Sequence, residues 1–349
     1  MAAGRVMQLA TGYMVSAALH AAVRLDVASH LRDGPRNVAA LAPALADGSV
    51  DADSLHRVLR ALATHGVFEE TAPGVFGLND VARSLLPDAP ASTFATVRWL
   101  AEPLHLRAFG ELLRGVKAPQ PPLVETLLGG PVFAHFQKDA ALGADFNAAM
   151  TALSSNVVPM LLGAYPDFAD CAVLADVGGG HGALLASVLR AHPHLRGVLF
   201  DLPPVVAGAH DALRAGGVAD RVDVRGGSFF EAKDLPRGDV DAVIMKHIIH
   251  DWDEDKAAAI LTNVRAALQE SRSAKPKRVL LVEFVLEECA TAAQPPALAP
   301  LIDLEMLVFA GGRERTRSQF EALLARGGLR LHGVSRMPNG MCVLEARIA

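Results

Sequence analysis

Apolar residues recur at helical spacing along the amino-terminal part of the chain. The spacing predicts helices over 6–31 and 36–46, and a third helix that begins after Asp51 and ends at Gly66. The apolar face of the third helix consists of Leu55, Val58, Leu59 and Leu62. A helix with one apolar face packs that face on a core, so we expect a small helical domain here.

A short stretch of alternating residues follows, with Pro73 and Gly74 at its centre. It predicts a β-hairpin, and three helices followed by a hairpin are typical of a winged-helix domain. Such a domain could bind DNA through its third helix, where Arg57 and Arg60 lie. We favour dimerisation, because the first helix is too apolar for a solvated surface and because nearby acidic side chains would face phosphates. These acidic residues are Asp51, Asp53, Glu69 and Glu70.

The pattern of apolar residues changes from helical to alternating strands and helices along the chain. Residues 91–170 are mostly helical in pattern, with a proline-rich break at 118–122, and from 171 onward short apolar runs alternate with helical stretches. The runs are VLADVG, GVLFDL, VDVRGG, DAVIMKH, RVLLVEFVL, RLHGVSRM and MCVLEARI. They predict an α/β fold with a doubly wound, mostly parallel seven-stranded sheet, which binds ligands at the carboxyl ends of its strands. An Ala/Pro-rich loop is expected at 290–300.

Composition and charge narrow the class of protein. Hydrophobic residues make up 51% of the 349 residues and charged residues 20%, which is enough apolar material for a core. The net charge of −5 argues against a broad nucleic-acid surface. Cys171, Cys289 and Cys342 have neither zinc spacing nor the even number of a disulfide framework, so a reducing cytoplasm and no metal are expected.

The apolar amino-terminal stretch could be mistaken for a targeting segment. It is interrupted by His20, Arg24 and Asp26, and it continues at helical period without a cleavage pattern. No window reaches the roughly 18 uninterrupted apolar residues of a membrane span. We therefore predict a core helix of a soluble protein.

A glycine-rich turn follows the first predicted strand of the sheet. Asp176 precedes Val-Gly-Gly-Gly-His-Gly and a helix, so backbone amides can approach a ligand at the helix amino terminus. Gly178, Gly180 and Ala183 also fit a dinucleotide fingerprint. Asp176 favours S-adenosylmethionine instead, because a carboxylate there would repel a pyrophosphate but can hold an ammonium group. Asp201, at the end of the next strand, would bind the ribose diol of either cofactor.

Four motifs in order resemble those of the small-molecule O-methyltransferases of bacteria and plants, of the caffeate, flavonoid and hydroxyindole type. They are DVGGGHG at 176–182, FDLP at 200–203, KHIIHDWD at 246–253 and GGRERT at 311–316. The resemblance covers essentially the whole chain. It implies a Rossmann-like class I methyltransferase domain behind a winged-helix dimerisation domain, and a homodimer. It also implies S-adenosylmethionine as cofactor, S-adenosylhomocysteine as its product, and a hydroxylated aromatic small molecule of the secondary-metabolite type as acceptor.

The resemblance also assigns domains and site residues. It implies a dimerisation domain at 1–90, a linker and substrate-pocket wall at 91–170, and a cofactor-binding catalytic domain at 171–349. His250 matches the general base, and Glu283 and Glu314 match the acids that flank it. The cofactor-binding positions are Asp176, Gly178, Gly180, Asp201, Leu202, Ser228, Phe229 and Lys246. The substrate-binding positions are Phe146, Asn147, Met150, Asp251 and Met306.

Two positions depart from the plant members of this family. Ser228 stands where they have an aspartate directed at the adenine, but a serine still accepts a hydrogen bond, and Phe229 beside it suits the adenine face. His247 replaces a common tryptophan, which changes the expected shape of the pocket rather than the reaction.

The chemistry of His250 agrees with the resemblance. A phenol of pKa near 10 is a poor nucleophile at neutral pH, and an imidazole of pKa near 6.5 can take its proton. A neighbouring carboxylate would orient the ring. Two alternatives stay open: a relative that uses the same fold and cofactor for hydroxylation or a pericyclic step, and a winged-helix regulator that responds to a ligand.

Overall fold

The computed structural model describes residues 2–117, 122–290 and 298–349. They form two compact units. The amino-terminal unit comprises Met1–Leu106 and Ala144–Ala152, and the carboxyl-terminal unit comprises Arg107–Gly143 and Leu153–Ala349. Most of the predicted break at 118–122 and of the Ala/Pro loop at 290–300 lies outside the described residues. The functional division at 90 and 170 stays a prediction.

The elements follow in chain order. The α-helices of the described chain are α1 (Ala2–Arg24), α2 (Val27–His30), α3 (Val38–Leu41), α4 (Ala52–Thr64), α5 (Asp80–Arg83), α6 (Phe94–Leu100), α7 (Pro103–Gly110), α8 (Leu112–Lys117), α9 (Leu123–Leu128), α10 (Val132–Lys138), α11 (Ala140–Ala164), α12 (Ala183–Ala191), α13 (Pro203–Val206), α14 (Ala209–Ala215), α15 (Glu254–Gln269), α16 (Ala299–Phe309) and α17 (Arg317–Arg326). The strands are β1 (Arg36–Asn37), β2 (Glu69–Ala72), β3 (Val75–Gly77), β4 (Val173–Val177), β5 (Arg196–Asp201), β6 (Val222–Gly226), β7 (Ala242–Lys246), β8 (Arg278–Leu286), β9 (Arg315–Thr316), β10 (Leu329–Arg336) and β11 (Met341–Ile348).

The third predicted helix and the hairpin are confirmed. Asp51 caps α4 by accepting the N–H of Ser54 at 2.8 Å, and Gly66 follows the helix with a left-handed φ of 80°. Leu55, Leu59 and Leu62 of α4 are buried. Strands β2 and β3 pair antiparallel around Gly74, and β1 adds a third strand to this small sheet.

The two predicted helices before it are shorter than the pattern indicated. The helix expected over 6–31 is broken at Asp26, whose φ of 51° is left-handed. The helix expected over 36–46 is wrong at its start, where β1 pairs with β3 and Asn37 then caps α3 through the N–H of Ala39. Strand pairing and the side-chain cap of Asn37 override the apolar spacing at the second helix, whereas the left-handed backbone of Asp26 interrupts the first.

The interpretation of α1 as a core helix is wrong for most of its length. Within the amino-terminal unit only Ala22 and Val23 of α1 are buried. Val6, Leu9 and Tyr13 are 64%, 65% and 66% exposed, and their i, i+3, i+7 spacing places them on one face. Among the described residues, α1 is also the helix long and apolar enough to cross a membrane by length and composition.

The carboxyl-terminal unit contains the predicted seven-stranded sheet. Its order is β10-β11-β8-β7-β4-β5-β6, and the short β9 pairs with β8 beside it. The five neighbouring strands β8, β7, β4, β5 and β6 are parallel to one another. Strand β11 runs antiparallel to both of its neighbours, β10 and β8. Strands β8 and β11 have the bounds that the apolar runs predict. Strand β9 was missed, because two residues are too few to show a period.

Apolar side chains cover both faces of this sheet. Helices α12 and α14 pack on one face, and α15 and α17 pack on the other. In the parallel register Asp176 lies beside Leu199, and Asp201 lies beside Gly226. Because the carboxyl ends of these strands meet at one edge, the residues that follow them are brought together there.

Candidate functional site

The glycine turn after β4 is shaped by left-handed backbone and close packing. Gly178 and Gly180 have φ values of 76° and 59°, which glycine adopts without strain. A Cβ on Gly179 would lie 2.5 Å from Leu199 and 2.7 Å from the carboxyl group of Asp176. A Cβ on Gly180 would meet nothing within 4 Å, so this side of the turn is open.

The amides of this turn are largely used inside the protein. The N–H groups of Gly178 and Gly179 donate to the carbonyl of Phe200 at 2.8 and 3.2 Å. The N–H of Gly180 donates to Oδ2 of Asp201 at 2.8 Å. A pyrophosphate would need these donors, whereas a cofactor bound through its ammonium and ribose groups would not. The turn therefore fits S-adenosylmethionine better than a dinucleotide.

Two carboxylates lie at the same edge. Asp176 is 2% exposed, and its Oδ2 has no hydrogen-bond partner among the described residues. Burial raises the pKa of Asp176 to about 7, although the nearby charge of Lys246 opposes the shift. An unpartnered buried oxygen fits a cationic donor, such as the ammonium group of the cofactor. Burial also raises the pKa of Asp201, whose Oδ1 accepts the N–H of Leu202 at 2.7 Å.

An aromatic cluster follows β6. The N–H of Ser228 donates to Oδ2 of Asp234 at 3.1 Å, and the Oγ of Ser228 accepts the N–H of Phe230 at 3.3 Å. The ring of Trp252 lies 5.9 Å from Phe229 and 4.8 Å from Phe230, both edge to face. Trp252 belongs to the HDW motif but was not among the predicted site residues, and the structure places it against Phe229, which was.

Lys246, at the end of β7, lies among acidic groups. Burial lowers its pKa to about 8, and the charges of Glu283, Asp176 and Asp251 oppose this shift. The cation thus balances carboxylates that burial would otherwise leave without a counter-charge.

His250 lies in a short 3-10 turn, Ile249–Asp251, two residues after the end of β7. The residue is 6% exposed. Its Nδ1 lies 2.7 Å from Oε1 of Glu314 and 3.7 Å from Oε2 of Glu283. Its Nε2 lies 3.5 Å from Oδ1 of Asp251, which is too long for a strong hydrogen bond. Burial raises the pKa of Asp251 to about 7.

Hydrogen bonds hold both glutamates in place. Oε1 of Glu283, on β8, accepts the N–H groups of Ile248 and Ile249 at 3.2 and 3.0 Å. The N–H of Glu314 donates to Oδ1 of Asp303 at 2.8 Å. Burial raises the pKa of Glu283 to about 7, and burial together with the charge of Asp303 raises that of Glu314 to about 8. Acidic side chains from β8 and from the GGRERT motif therefore meet at the imidazole of His250.

His247 stacks on this imidazole. The two rings are 4.8 Å apart at an interplanar angle of 29°, and His247 has a left-handed φ of 54°. Its Nδ1 lies 3.8 Å from Oε2 of Glu283. Burial and the charge of Lys246 hold the pKa of His247 well below its ordinary value, so this ring is neutral at pH 7.

One group among the described residues could hold a metal ion. The nitrogens of His247 and His250 and a carboxylate oxygen of Glu283 lie within 4.8 Å of one another. The rings are stacked rather than convergent on one point, and Nδ1 of His250 already faces Glu314. The geometry suits proton transfer better than metal binding, and the absence of a metal stays a prediction.

The expected acceptor-binding residues lie in both units. Phe146, Asn147 and Met150 are half-buried on the part of α11 that belongs to the amino-terminal unit, where the ring of Phe146 lies 5.3 Å from that of Trp99. Met306 is buried on α16 of the carboxyl-terminal unit. Their contact with an acceptor stays a prediction.

Comparison with known proteins decides the family. Residues 109–330 match the O-methyltransferase domain, and residues 7–88 match the O-methyltransferase dimerisation domain. This chain belongs to the O-methyltransferase family. The enzyme class expected from the four motifs is confirmed, and the match of residues 7–88 favours dimerisation over DNA binding.

The O-methyltransferase has relatives that cover nearly all of it. It is 36% identical over 328 residues to the mitomycin biosynthesis 6-O-methyltransferase of Streptomyces lavendulae, covering 93% of this chain and 88% of the relative. The crystal structure of LaPhzM superposes with a TM-score of 0.90 at 33% identity, covering all of both chains. The O-methyltransferase NcsB1 from neocarzinostatin biosynthesis, in complex with S-adenosylmethionine and 2-hydroxy-5-methyl naphthoic acid, gives a TM-score of 0.77 at 29% identity over 96% of both chains.

These comparisons confirm the class I methyltransferase fold and the cofactor. The methyl donor of this O-methyltransferase is S-adenosylmethionine, and its residues fit that cofactor through the open glycine turn and the unpartnered oxygen of Asp176. Methylation is favoured over the non-methylating alternatives. The dimerisation domain supports the expected homodimer.

Proposed function

We propose that this O-methyltransferase methylates a hydroxyl group of an aromatic secondary metabolite and that His250 removes the proton of that hydroxyl. The observation that carries the proposal is the 2.7 Å contact between Nδ1 of His250 and Oε1 of Glu314. When Glu314 is ionised, it accepts the Nδ1 proton and leaves Nε2 with the lone pair that a general base needs. Because the pKa of Glu314 is about 8, this base form increases as pH approaches 8.

The proton balance follows from this arrangement. When bound, S-adenosylmethionine supplies a methyl group activated by its sulfonium sulfur. The acceptor oxygen forms the new bond to that methyl carbon as the carbon–sulfur bond breaks, and the hydroxyl proton passes to Nε2 of His250. Glu314 at 2.7 Å and Glu283 at 3.7 Å then stabilise the imidazolium. Alignment of the oxygen with the methyl group supplies much of the remaining acceleration.

The cofactor is proposed to lie along the carboxyl edge of the sheet. Asp176 would take its ammonium group, and Asp201 would accept hydrogen bonds from its ribose. Gly178 and Gly180 allow close approach of the backbone, and the aromatic cluster that contains Phe229 would contact the adenine. The other proposed contacts are Leu202, Ser228 and Lys246.

The acceptor is proposed to be a flat aromatic molecule with a phenolic hydroxyl. A naphthoic acid bound by the relative NcsB1 supports this class. Met150 and Met306 would adapt to its shape because methionine side chains are flexible, while Phe146, Asn147 and Asp251 complete the proposed contacts. We place the enzyme in the cytoplasm, where its three free thiols stay reduced.

Replacement of His250 tests the proposal. With a panel of hydroxynaphthoic acids and catechols as acceptors, His250→Ala and His250→Gln should lower turnover by about 10² to 10⁴. Affinity for S-adenosylmethionine should stay near wild type. The residual rate should rise with pH, because a phenolate needs no base.

The matched control is His332→Ala, an exposed histidine on the edge strand β10, which should keep wild-type turnover. Full activity of His250→Ala at neutral pH would refute the general-base role. A product without the transferred methyl group, found by mass spectrometry, would refute methyl transfer itself.

A further inference from the structure

We propose that Arg315 is a positioning residue that holds the turn carrying His250, an inference that rests on the general-base role proposed above. Arg315 lies on β9 and is fully buried. Its side chain contacts the backbone of the turn rather than the imidazole. It therefore acts on the reaction through His250.

The guanidinium group spans the turn. Nη1 donates to the carbonyl of Ile249 at 3.2 Å, and Nη2 donates to the carbonyl of Trp252 at 3.0 Å. These carbonyls flank His250 and Asp251 in sequence. One rigid planar group thus fixes both ends of the segment that presents the imidazole.

The rest of the guanidinium is also engaged. Nε donates to Oε1 of Glu254 at 2.9 Å, and Nη1 donates to the carbonyl of Arg313 at 3.2 Å. Glu254 begins α15, so Arg315 links this helix to the turn. A buried charge with this many directed bonds has one favourable position, because any shift leaves donors without acceptors.

The residues just before Arg315 hold the turn from a second side. The N–H of Arg313 donates to the carbonyl of His250 at 2.8 Å. A Cβ on Gly312 would overlap that carbonyl, so only glycine allows this approach. Strand β9 pairs in parallel with β8 through Val285 and Arg315, two residues beyond Glu283. Arg315 therefore ties the turn to β8, which carries Glu283, and to β9, which directly follows Glu314.

A lysine cannot reproduce this contact. Its ammonium group keeps the charge but cannot donate along the divergent directions that Ile249, Trp252 and Glu254 require. Arg315→Lys should therefore keep the fold intact but allow the turn that carries His250 to shift. Since a displacement of about 1 Å can cost 10²-fold in rate, we expect kcat to fall about 10- to 100-fold.

The test compares Arg315→Lys with Arg278→Lys. Arg278 is also buried, but it donates to the hydroxyl of Tyr165 and the carbonyl of Asp167, apart from the proposed base. Arg315→Lys should lower kcat on the best acceptor of the phenol panel, with the dissociation constant of S-adenosylmethionine changed less than about twofold. Arg278→Lys should keep wild-type kcat per folded molecule.

Two further measurements separate positioning from a general structural role. Because Arg315 acts through His250, adding Arg315→Lys to His250→Ala should change turnover less than about twofold. In the enzyme saturated with S-adenosylhomocysteine, Arg315→Lys should shift the ring-nitrogen NMR signals of His250, and Arg278→Lys should not. Multiplicative rate losses in the double variant, or unchanged signals, would overturn the proposal.

Glu254→Gln keeps the test decisive if Arg315→Lys does not fold. It removes the ion pair of a side chain that is 40% exposed and keeps the backbone bonds of Arg315. We expect Glu254→Gln to lower kcat about two- to fivefold in the wild-type background. In the His250→Ala background it should have no further effect. If His250→Ala is inactive and neither Arg315→Lys nor Glu254→Gln affects kcat, the positioning role fails while the proposed function stands. Full activity of His250→Ala would instead remove the proposed function.

Discussion

Asp201 uses both carboxylate oxygens within the protein, bonding the amides of Gly180 and Leu202 at 2.8 and 2.7 Å. Each oxygen keeps a second lone pair, which the proposed contact with the ribose would use. Asp201→Asn replaces one acceptor by a donor, so we expect S-adenosylmethionine to bind roughly 30-fold or more weakly, about 2 kcal/mol. Calorimetry measures this, with the exposed Asp211→Asn as control. Unchanged affinity would show that the ribose binds elsewhere.

Glu314 makes the stability of the enzyme depend on pH. Its pKa is about 8 in the folded state against an ordinary value of 4.5. Between these values the folded chain holds a proton that the unfolded chain has lost, so the contribution of Glu314 to stability falls as pH rises. In the variant Glu314→Gln the side chain is neutral at every pH, so this dependence is removed.

We therefore expect the Tm of Glu314→Gln, relative to wild type, to increase steadily from pH 5 to pH 8. Differential scanning calorimetry at pH 5, 6.5 and 8 measures it. Glu321→Gln, at an exposed position on α17, is the control and should track the wild type. Parallel curves for Glu314→Gln and wild type would contradict the raised pKa.

The sequence could indicate those candidate site residues whose proposed role depends on an ionisable side chain. His250 and Glu314 lie in two separate motifs and Glu283 lies on β8, and the structure brings their side chains together. Trp252 and Arg315 were missed for a physical reason. Trp252 packs edge to face on aromatic rings, and Arg315 donates hydrogen bonds to backbone carbonyls. Every residue has a backbone carbonyl, so the sequence does not show which residue such a side chain contacts.

At the scale of elements, α1 presents the apolar face defined by Val6, Leu9 and Tyr13. The dimerisation match begins at residue 7 and includes most of this helix. Leu9→Glu combined with Tyr13→Glu should convert the dimer to monomer, because each charge would lie in a desolvated interface. Analytical ultracentrifugation measures the state.

Gln8→Glu is the matched control, since Gln8 lies on the opposite side of the same helix and should leave the dimer intact. A dimer that survives both glutamates on the apolar face would show that α1 does not form the interface.

Helices and strands were predicted correctly where burial alone determined the pattern of apolar residues. Strand β8 is buried along eight of its nine residues, so its apolar run shows both of its ends. Strands β1 and β9 have two residues each and exist only because a distant strand pairs with them. Local pattern carries no information about such a partner, and the same reason explains the wrong helix start near Asn37.

For the whole molecule, the reaction is expected to need no metal. Dialysis against EDTA should leave turnover and Tm unchanged, whereas S-adenosylhomocysteine should raise Tm. At 100 times its dissociation constant a ligand stabilises the folded state by about 2.7 kcal/mol. Activity lost on dialysis and restored by Zn²⁺ would contradict this expectation, and variants of His247 and Glu283 would then test the candidate metal group.

The placement of Trp252 also gives the enzyme a built-in optical reporter. The chain has two tryptophans, and Trp99 belongs to the amino-terminal unit while Trp252 belongs to the carboxyl-terminal unit. Trp252 lies against Phe230, with the ammonium group of Lys256 5.8 Å from its ring. In Trp99→Phe the remaining indole emission reports the carboxyl-terminal unit alone, and in Trp252→Phe it reports the amino-terminal unit alone. Fluorescence during denaturation can therefore follow the unfolding of each unit without an added label.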